Sequence, residues 1–143
     1  MEVETHSINF KTKGNCDIID LTGKVEAVIT GSNFDEGNVL IFAGGSTAGI
    51  TTIEYEPGLL QDYPKFFDRI APVNINYEHD NTWHDGNGHS HVRASLQGAS
   101  LTVPFVNGSL TLGTWQQIIF VDFDNRSRSR EVVIQLMGRK REG

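Results

Sequence analysis

Short β-type segments separated by turn residues fill the second half of the chain, and this pattern limits the fold more than any other. Asn107-Gly108 stands between two such segments, and Asn-Gly in that position favours a two-residue hairpin turn. Turns this short join antiparallel strands, whereas parallel strands need a crossover of a dozen or more residues. The strands predicted here are residues 89–96, 100–106, 109–112, 116–123 and 130–137. We therefore expect a mainly antiparallel sheet or sandwich.

The first half of the chain adds two predicted helices to these strands. Apolar residues at helical spacing predict the first helix over residues 21–29. Pro57 begins the second helical pattern, because proline is tolerated in the first turn of a helix. Pro72 ends the pattern, because proline is not tolerated in the helix interior. Pro64 inside the pattern predicts a kink or two short helices. Further strands are predicted at residues 5–11, 39–43 and 47–55, and residues 17–22 suit a strand or the approach to a helix.

These elements predict one α+β domain over residues 1–143, with an antiparallel β-sandwich core and two helices. A net charge of −6 argues against a general nucleic-acid binder, whose surface would be basic. The sequence holds no apolar run long enough for a membrane span, and its acidic start does not resemble a signal peptide. Cys16 is the single cysteine, so we expect no disulfide. The expected location is the cytoplasm.

Four of the five histidines lie in one polar segment, at positions 79, 84, 89 and 91. We predict a long loop over residues 74–88 and a strand from residue 89. On a strand, His89 and His91 would share one face. With His79 they could hold zinc or a similar cation, or they could act as general acids and bases. The alternative is a polar loop whose histidines are ordinary surface residues.

The arginines Arg126, Arg128 and Arg130 occur at every second position near the end of the chain. On a strand they would project to the same side, where guanidinium groups could grip phosphate or carboxylate groups. The alternative is a charged edge strand whose arginines pair with acids such as Asp122 and Asp124. Taken by itself, the pattern favours this second interpretation.

Residues 44–49 form a glycine-rich turn between two predicted strands. Its backbone amides and the hydroxyls of Ser46 and Thr47 suit an anion, but no Gly-Lys-Ser/Thr follows as in a P-loop. A tight turn that needs positive φ explains the glycines equally well. Just downstream, Glu54 and Glu56 could form a pair of carboxylates for acid–base chemistry, although exposed pairs of this kind are common.

Seven strings of residues, spread over nearly the whole chain, together resemble the YjbQ family. They are Ser46-Thr47-Ala48, Ile53-Glu54-Tyr55-Glu56-Pro57, Tyr77-x-His79, Asn87-x-x-x-His91, Leu101-Thr102-Val103-Pro104, Leu110-x-Leu112-Gly113-Thr114-Trp115-Gln116-Gln117 and Arg128-x-Arg130. The resemblance implies a β-sandwich domain that assembles as a homotrimer, with a site near a subunit boundary. It also implies a cytoplasmic protein of the kind often labelled secondary thiamine-phosphate synthase for a weak side activity.

The resemblance also implies which residues form the site. The catalytic candidates are Glu54, His79, Asn87 and His91. The candidates for binding substrate or phosphate are Ser46, Thr47, Trp115, Gln116, Arg128 and Arg130. A divalent metal, Zn or Mg, would be held by His79, His89 and His91. Many relatives carry a histidine where this chain has Gly45, so a metal site that uses that position cannot form here.

Three functional hypotheses follow from these residues. The first is a transferase resembling thiamine-phosphate synthase, which acts on a phosphorylated small molecule through the histidines and an arginine phosphate clamp. The second is a metal-dependent hydrolase, and the third is a non-catalytic trimer that binds a metal or a small anion. The expected partners are a phosphorylated small molecule and further copies of the chain, with neither nucleic acid nor membrane.

Overall fold

Two antiparallel sheets and four helices make up the computed structural model, which describes residues 1–142. The strands are β1 (Glu2–Thr12), β2 (Asp17–Asp20), β3 (Phe34–Ala43), β4 (Ala48–Ile53), β5 (Ser100–Val106), β6 (Ser109–Leu110), β7 (Gln117–Asp122) and β8 (Arg128–Lys140). The helices are α1 (Thr22–Gly31), α2 (Pro57–Ile70), α3 (Glu78–Trp83) and α4 (Gly88–Gln97). The predicted α+β class is therefore confirmed, with twice the predicted number of helices.

The larger sheet has the strand order β1-β8-β3-β5-β6 and the smaller sheet has the order β2-β7-β4. In the larger sheet, Ile134 of β8 pairs with Ile41 of β3, and Val103 of β5 pairs with Val39 of β3. Alternate residues of β8 are buried from Val132 to Leu136, as expected for a strand with one face on the core. The Asn107-Gly108 turn joins β5 to β6, which confirms the predicted hairpin.

Strand β7 lies between two apolar layers, and this explains its continuous apolar sequence. Ile118 and Phe120 face a core that contains α1 and residues of the larger sheet. Ile119 and Val121 face the opposite way, toward a second cluster that contains Phe67 of α2 and residues of α4. The end of β7 therefore lies between the core of the two sheets and the cluster that includes residues of α2 and α4.

The predicted loop over residues 74–88 and the predicted strand over residues 89–96 are wrong, because α3 and α4 occupy these segments. The buried positions of α4 include Ser90, Arg93 and Ala94, which follow helical spacing. Two of these three side chains are polar, so a search for apolar periodicity could not find this face.

Two further details concern the second helix and the last strand. Of the two outcomes predicted for Pro64, two short helices are not found, because α2 continues from Pro57 to Ile70. The last strand, predicted over residues 130–137, is longer than expected, because β8 continues as far as Lys140; residue 143 lies outside the described residues. Gly138 pairs with Gly37 so closely that a Cβ on Gly138 would lie 2.2 Å from the carbonyl oxygen of Glu36. Over residues 1–142, no helix is both long and apolar enough to span a membrane.

Candidate functional site

A buried network of charged side chains lies where β7 ends and β8 begins. The Arg130 guanidinium donates two hydrogen bonds to the Asp122 carboxylate, from Nε to Oδ2 and from Nη2 to Oδ1, each 2.7 Å long. The Thr12 hydroxyl at the end of β1 donates to the same carboxylate. Asp122 is fully buried, so its charge must be balanced inside the protein, and Arg130 balances it.

A second buried carboxylate, Asp124, collects hydrogen bonds from several elements. It accepts from Arg128 Nε at 2.7 Å, from Asn87 Nδ2 at 3.2 Å and from the backbone N–H of Asn125 at 2.8 Å. Thr47 also donates to it, at 3.3 Å. Burial by itself would raise the pKa of Asp124, but the hydrogen bonds from Asn125, Asn87 and Arg128, together with the positive charge of Arg128, hold its pKa below the ordinary value. Asp124 is therefore ionised and joins the β7–β8 turn to α4 and β4.

The two arginines of the predicted phosphate clamp are thus paired with carboxylates inside the chain, and this part of the alternative interpretation is correct. Its edge strand is wrong, because β8 lies between β1 and β3 in the larger sheet. Each guanidinium still has an edge that the carboxylates do not use. The side chain of Arg128 is 33% exposed. Arg130 is only 12% exposed, but its Nη1 would lie 3.5 Å from a Cβ built on Gly45. The missing side chain of Gly45 therefore leaves a path to Arg130.

His79 of α3 and His91 of α4 form a close pair, with ring centroids 4.2 Å apart and ring planes tilted by 38°. Burial, and then the neighbouring His79 ring, lower the pKa of His91. The Nδ1 atom of His79 is buried and has no hydrogen-bond partner within residues 1–142. The neutral form of His91 is therefore favoured, and this form accepts a proton.

His89 does not join this pair. Successive residues of an α-helix are rotated by about 100°, so His89 and His91, two positions apart in α4, point in nearly opposite directions. The His89 ring lies beside Tyr77, with 6.4 Å between the ring centroids. Burial lowers the pKa of His89, and the positive charge of Arg93 lowers it further. Across the described residues, no three His, Cys, Asp or Glu side chains are grouped to hold a metal ion. The predicted ligand set does not fit a metal.

Asn87 stands between the histidine pair and the charged network. It is only 5% exposed, and its backbone carbonyl accepts from the backbone N–H of His91 at 3.3 Å. Its side-chain Nδ2 donates to Asp124, whereas its Oδ1 has no partner in the part of the chain that the structure describes. Asn87 therefore connects the start of α4 rigidly to Asp124.

A cleft of about 460 Å³ opens between α4 and the glycine-rich turn at residues 44–47. Gly45, Ser46 and His91 line it, together with small residues of α4. Gly45 has a φ of +117°, a conformation that strains any residue with a side chain. The cleft thus brings together the predicted anion-binding turn, His91 and, behind Gly45, the Nη1 of Arg130.

Three predicted site residues, Glu54, Trp115 and Gln116, lie far from the histidines, at the other end of the smaller sheet. Asp122 pairs with Ala48 at one end of β4 and Gln117 pairs with Ile53 at the other. At about 3.3 Å per residue, these five steps separate the two ends by roughly 17 Å. The residues at the far end are Glu54, Trp115 and Gln116. Within one copy of the chain they do not reach the histidines.

The side chains at this far end have other contacts. Gln116 accepts from the backbone N–H of Gly113 and donates to Thr52. Trp115 is 72% exposed. The Glu56 carboxylate caps the first turn of α2, accepting from the backbone N–H groups of Gly58 and Leu59, so it is not paired with Glu54 for acid–base chemistry.

Asp122 and Asp124 were expected only as partners of the arginines, and their role in joining several elements was not predicted. Two acids at alternate positions at the end of a buried strand were a signal for these carboxylates, since both stay buried there and must be paired. Thr12 had no signal, because it lies 110 positions from Asp122 and only the pairing of β1 with β8 brings it there.

Comparisons with known proteins agree with this fold. The model of the family described as "UPF0047 protein YjbQ-like" matches residues 6–139. A UPF0047 protein of Methanothermobacter thermautotrophicus is 37% identical over 139 residues, which cover 97% of this chain and 95% of that protein. The UPF0047 protein YugU of Bacillus subtilis is 37% identical over 134 residues, covering 92% and 98% of the two chains.

Solved structures show the same similarity. A YbjQ-like protein of unknown function from Sulfolobus solfataricus P2 superposes with a TM-score of 0.90 at 31% identity, covering 96% of this chain and 98% of that one. A hypothetical protein from Aeropyrum pernix K1 superposes with a TM-score of 0.88 at 32% identity, covering 94% and 98%. The similarity therefore extends over almost the whole of each chain.

Proposed function

The chain belongs to the UPF0047 YjbQ-like family, and from the geometry of its cleft we propose that it binds a phosphorylated small molecule and transfers a proton there. One observation carries this proposal. His91 and Ser46 line the same cleft, and Arg130 Nη1 lies directly behind Gly45. A hydroxyl group and a neutral imidazole in one cleft, with a cation behind the glycine of its wall, suit the binding of an anion next to a group that loses a proton.

The phosphate group would lie against the turn at residues 44–47. Ser46 would donate its hydroxyl, and Arg130 would donate from Nη1. Thr47 acts as a positioning residue, because it accepts from Arg130 Nη2 at 2.9 Å and is itself buried. Arg128 adds positive charge nearby while it remains bound to Asp124. Such donors, already oriented by buried carboxylates, need little rearrangement when an anion binds.

Proton transfer would use the close pair of histidines. His91 lines the cleft and is favoured in its neutral form, so it would accept the proton from the substrate. The carboxylates of Asp124 and Asp85 act in the opposite direction, and they would stabilise the imidazolium ion once it forms. His79 would orient the His91 ring through their contact.

Thiamine-phosphate synthesis is a reaction of this class, and we propose it as a weak activity of the site. The lone pair of a thiazole nitrogen forms a bond to the methylene carbon of a pyrimidine diphosphate, the carbon–oxygen bond breaks, and its electron pair leaves with pyrophosphate. The thiazole nitrogen carries no proton, so the proton that His91 would accept is one from the amino group of the pyrimidine. Its removal helps to expel pyrophosphate, and His91 would return it once the carbon–nitrogen bond has formed. Arg130 and Ser46 would stabilise the charge of the leaving pyrophosphate. A metal-dependent hydrolase would need a ligand set that His79, His89 and His91 do not form.

Phosphate binding can be tested at Gly45. A methyl group there would lie 3.5 Å from Arg130 Nη1 and cover this donor. We expect Gly45→Ala to weaken pyrophosphate binding by about tenfold or more, the loss of one charge-assisted hydrogen bond. Isothermal titration calorimetry would measure the affinity.

Because Gly45 has a φ of +117°, an alanine there also strains the turn, so Ser46→Ala is measured beside it. This variant removes the proposed hydroxyl donor without such strain and should also weaken pyrophosphate binding. Gly44→Ala controls for an added methyl group in the same turn. A Cβ on Gly44 would meet no atom within 4 Å, so this variant should bind pyrophosphate as the wild type does. Wild-type affinity in Ser46→Ala, or equal affinities for the two glycine variants, would contradict the proposed phosphate position. Tight binding of pyrophosphate without turnover of any phosphorylated compound would favour the non-catalytic alternative.

We also infer that the chain assembles as a homotrimer. Trp115 is largely exposed and lies beside Glu54 and Gln116 at the end of the sheet that is remote from the histidines. A threefold ring uses unlike surfaces of neighbouring copies, so this end of one copy would approach the cleft of the next. Neighbouring copies would then complete the set of candidate site residues.

Sedimentation equilibrium at micromolar concentration tests this inference. We expect a mass three times that of the chain. Trp115→Ala should shift the mass toward the monomer, because exposed aromatic side chains commonly contribute most to the affinity of an interface. A monomeric wild-type protein would contradict the trimer.

A further inference from the structure

A second cavity, of about 160 Å³, is separate from the cleft and shares none of its lining residues. It lies between the β7–β8 turn and the connection from α3 to α4. Its five lining residues are all polar or charged: Asp85, Asn87, Asn125, Arg126 and Arg128. A cavity with this lining is suited to a polar ligand rather than an apolar one.

Hydrogen bonds hold the walls of this cavity in place. Asn125 Nδ2 donates to the backbone carbonyl of Asp85 at 3.0 Å, and this bond joins the two loops. Arg128 and Asn87 are both bound to the buried carboxylate of Asp124. The cavity is therefore formed before any ligand arrives, which lowers the entropic cost of binding.

One part of the cavity is cationic. Arg126 is exposed, and within residues 1–142 no carboxylate oxygen lies within 4 Å of its guanidinium. Arg128 keeps a third of its side chain exposed after bonding to Asp124. Two guanidinium groups at one cavity match the oxygens of a phosphate or carboxylate group.

Another part of the cavity carries hydrogen-bond acceptors. Asp85 contributes an exposed carboxylate, and Asn87 has a buried Oδ1 without a partner among the described residues. The Asn87 amide cannot simply turn over, because Nδ2 donates to the ionised Asp124 and a reversed amide would place two acceptors against each other. The acceptors of this cavity therefore call for a ligand with a strong hydrogen-bond donor.

We propose that this cavity binds a small zwitterion, with its anionic group on Arg126 and Arg128 and its ammonium group on the exposed Asp85 carboxylate. A simple anion would leave the acceptors unpaired, and a simple amine would leave the arginines unpaired. At about 10–15 Å³ for each water-sized occupant, the cavity has room for roughly ten non-hydrogen atoms. This size suits an amino acid or an aminoalkyl phosphate.

Calorimetry with matched compounds tests the proposal on the full chain. Phosphoethanolamine has both groups, ethyl phosphate lacks the ammonium group, and ethanolamine lacks the phosphate. We expect phosphoethanolamine to bind about tenfold more tightly than either, the gain from one further charge-assisted hydrogen bond. Comparison with β-alanine shows whether the arginines prefer phosphate or carboxylate. Equal affinity for ethyl phosphate and phosphoethanolamine would overturn the proposal.

Two variants place the binding in this cavity. In Asp85→Asn, the affinities for phosphoethanolamine and ethyl phosphate should differ by no more than about twofold, because the group that binds the ammonium is lost. Arg126→Ala should weaken the binding of both compounds by about tenfold. Both residues are exposed, so neither change removes a buried contact. Asp62→Asn and Lys65→Ala, exposed residues of α2, make the same charge changes elsewhere and should have no effect.

The same variants also separate this site from the proposed phosphate cleft. Gly45→Ala alters the cleft and should leave zwitterion binding unchanged. If Asp85→Asn keeps the full preference for phosphoethanolamine, or if Gly45→Ala removes it, the zwitterion site is refuted. In either case the proposed function remains to be judged by its own test.

Discussion

The Asp122→Ala variant is expected to unfold with a free energy about 3–5 kcal/mol lower than that of the wild type. Asp122 is fully buried and accepts two hydrogen bonds from Arg130 and one from Thr12. Removing the carboxylate leaves the Arg130 guanidinium largely buried without its main counter-charge. An uncompensated buried charge costs far more than the net value of the ion pair that it replaces.

Urea denaturation followed by circular dichroism would measure this loss. Glu36→Ala is the matched control, since Glu36 is also a carboxylate paired with an arginine, but its side chain is 51% exposed. Exposed pairs contribute at most about 1 kcal/mol, so this control should remain close to the wild type. Asp122→Asn keeps the shape of the side chain and should retain part of the stability. Equal losses for Asp122→Ala and Glu36→Ala would show that the buried pair has no special role.

The second large effect is expected at His91. His91→Ala should lower kcat for thiamine-phosphate formation by about 10²- to 10⁴-fold, the usual contribution of a general acid or base. The variant should still bind pyrophosphate, because Arg130 and Ser46 are unchanged. Steady-state kinetics would measure kcat, and a wild-type kcat in His91→Ala would refute the proposed proton transfer.

His84 provides a matched control in the same segment. It is exposed and ends α3 with a φ of +59°, a conformation that asparagine tolerates well. His84→Asn should therefore keep both the fold and the kcat. A loss in this variant comparable to that of His91→Ala would point to general damage of the segment rather than to catalysis.

The pH dependence gives an independent check on His91. Burial and the His79 ring lower the pKa of His91, so the neutral base persists to a lower pH than for an ordinary histidine. The rate should fall only as the pH drops through this lowered pKa, below the ordinary value of about 6.5. This acidic limb of the kcat/KM profile should be absent from the residual activity of His91→Ala.

Much of the fold could be predicted from local patterns. The hairpin at Asn107-Gly108, the helix α1 and the long strand β8 each follow from a periodicity or a turn signal contained in a few consecutive residues. Helix α4 could not be predicted in this way, because its buried face includes His89, Ser90 and Arg93. A polar face is buried only when partners from elsewhere satisfy it, as the backbone carbonyl of Ala71 and the Asp68 carboxylate do for Arg93.

For the site, the sequence by itself determined the chemical groups: histidines in one segment, arginines at alternate positions and a glycine-rich turn. The tertiary structure decided how they are used. It places His79 against His91 and turns His89 away, because α4 is a helix. It also pairs Arg130 with Asp122 and Arg128 with Asp124, because charges withdrawn from water must be balanced by neighbours that packing brings within reach. Spacing along a chain can show which charges share a face, but which charges become buried depends on contacts between distant strands.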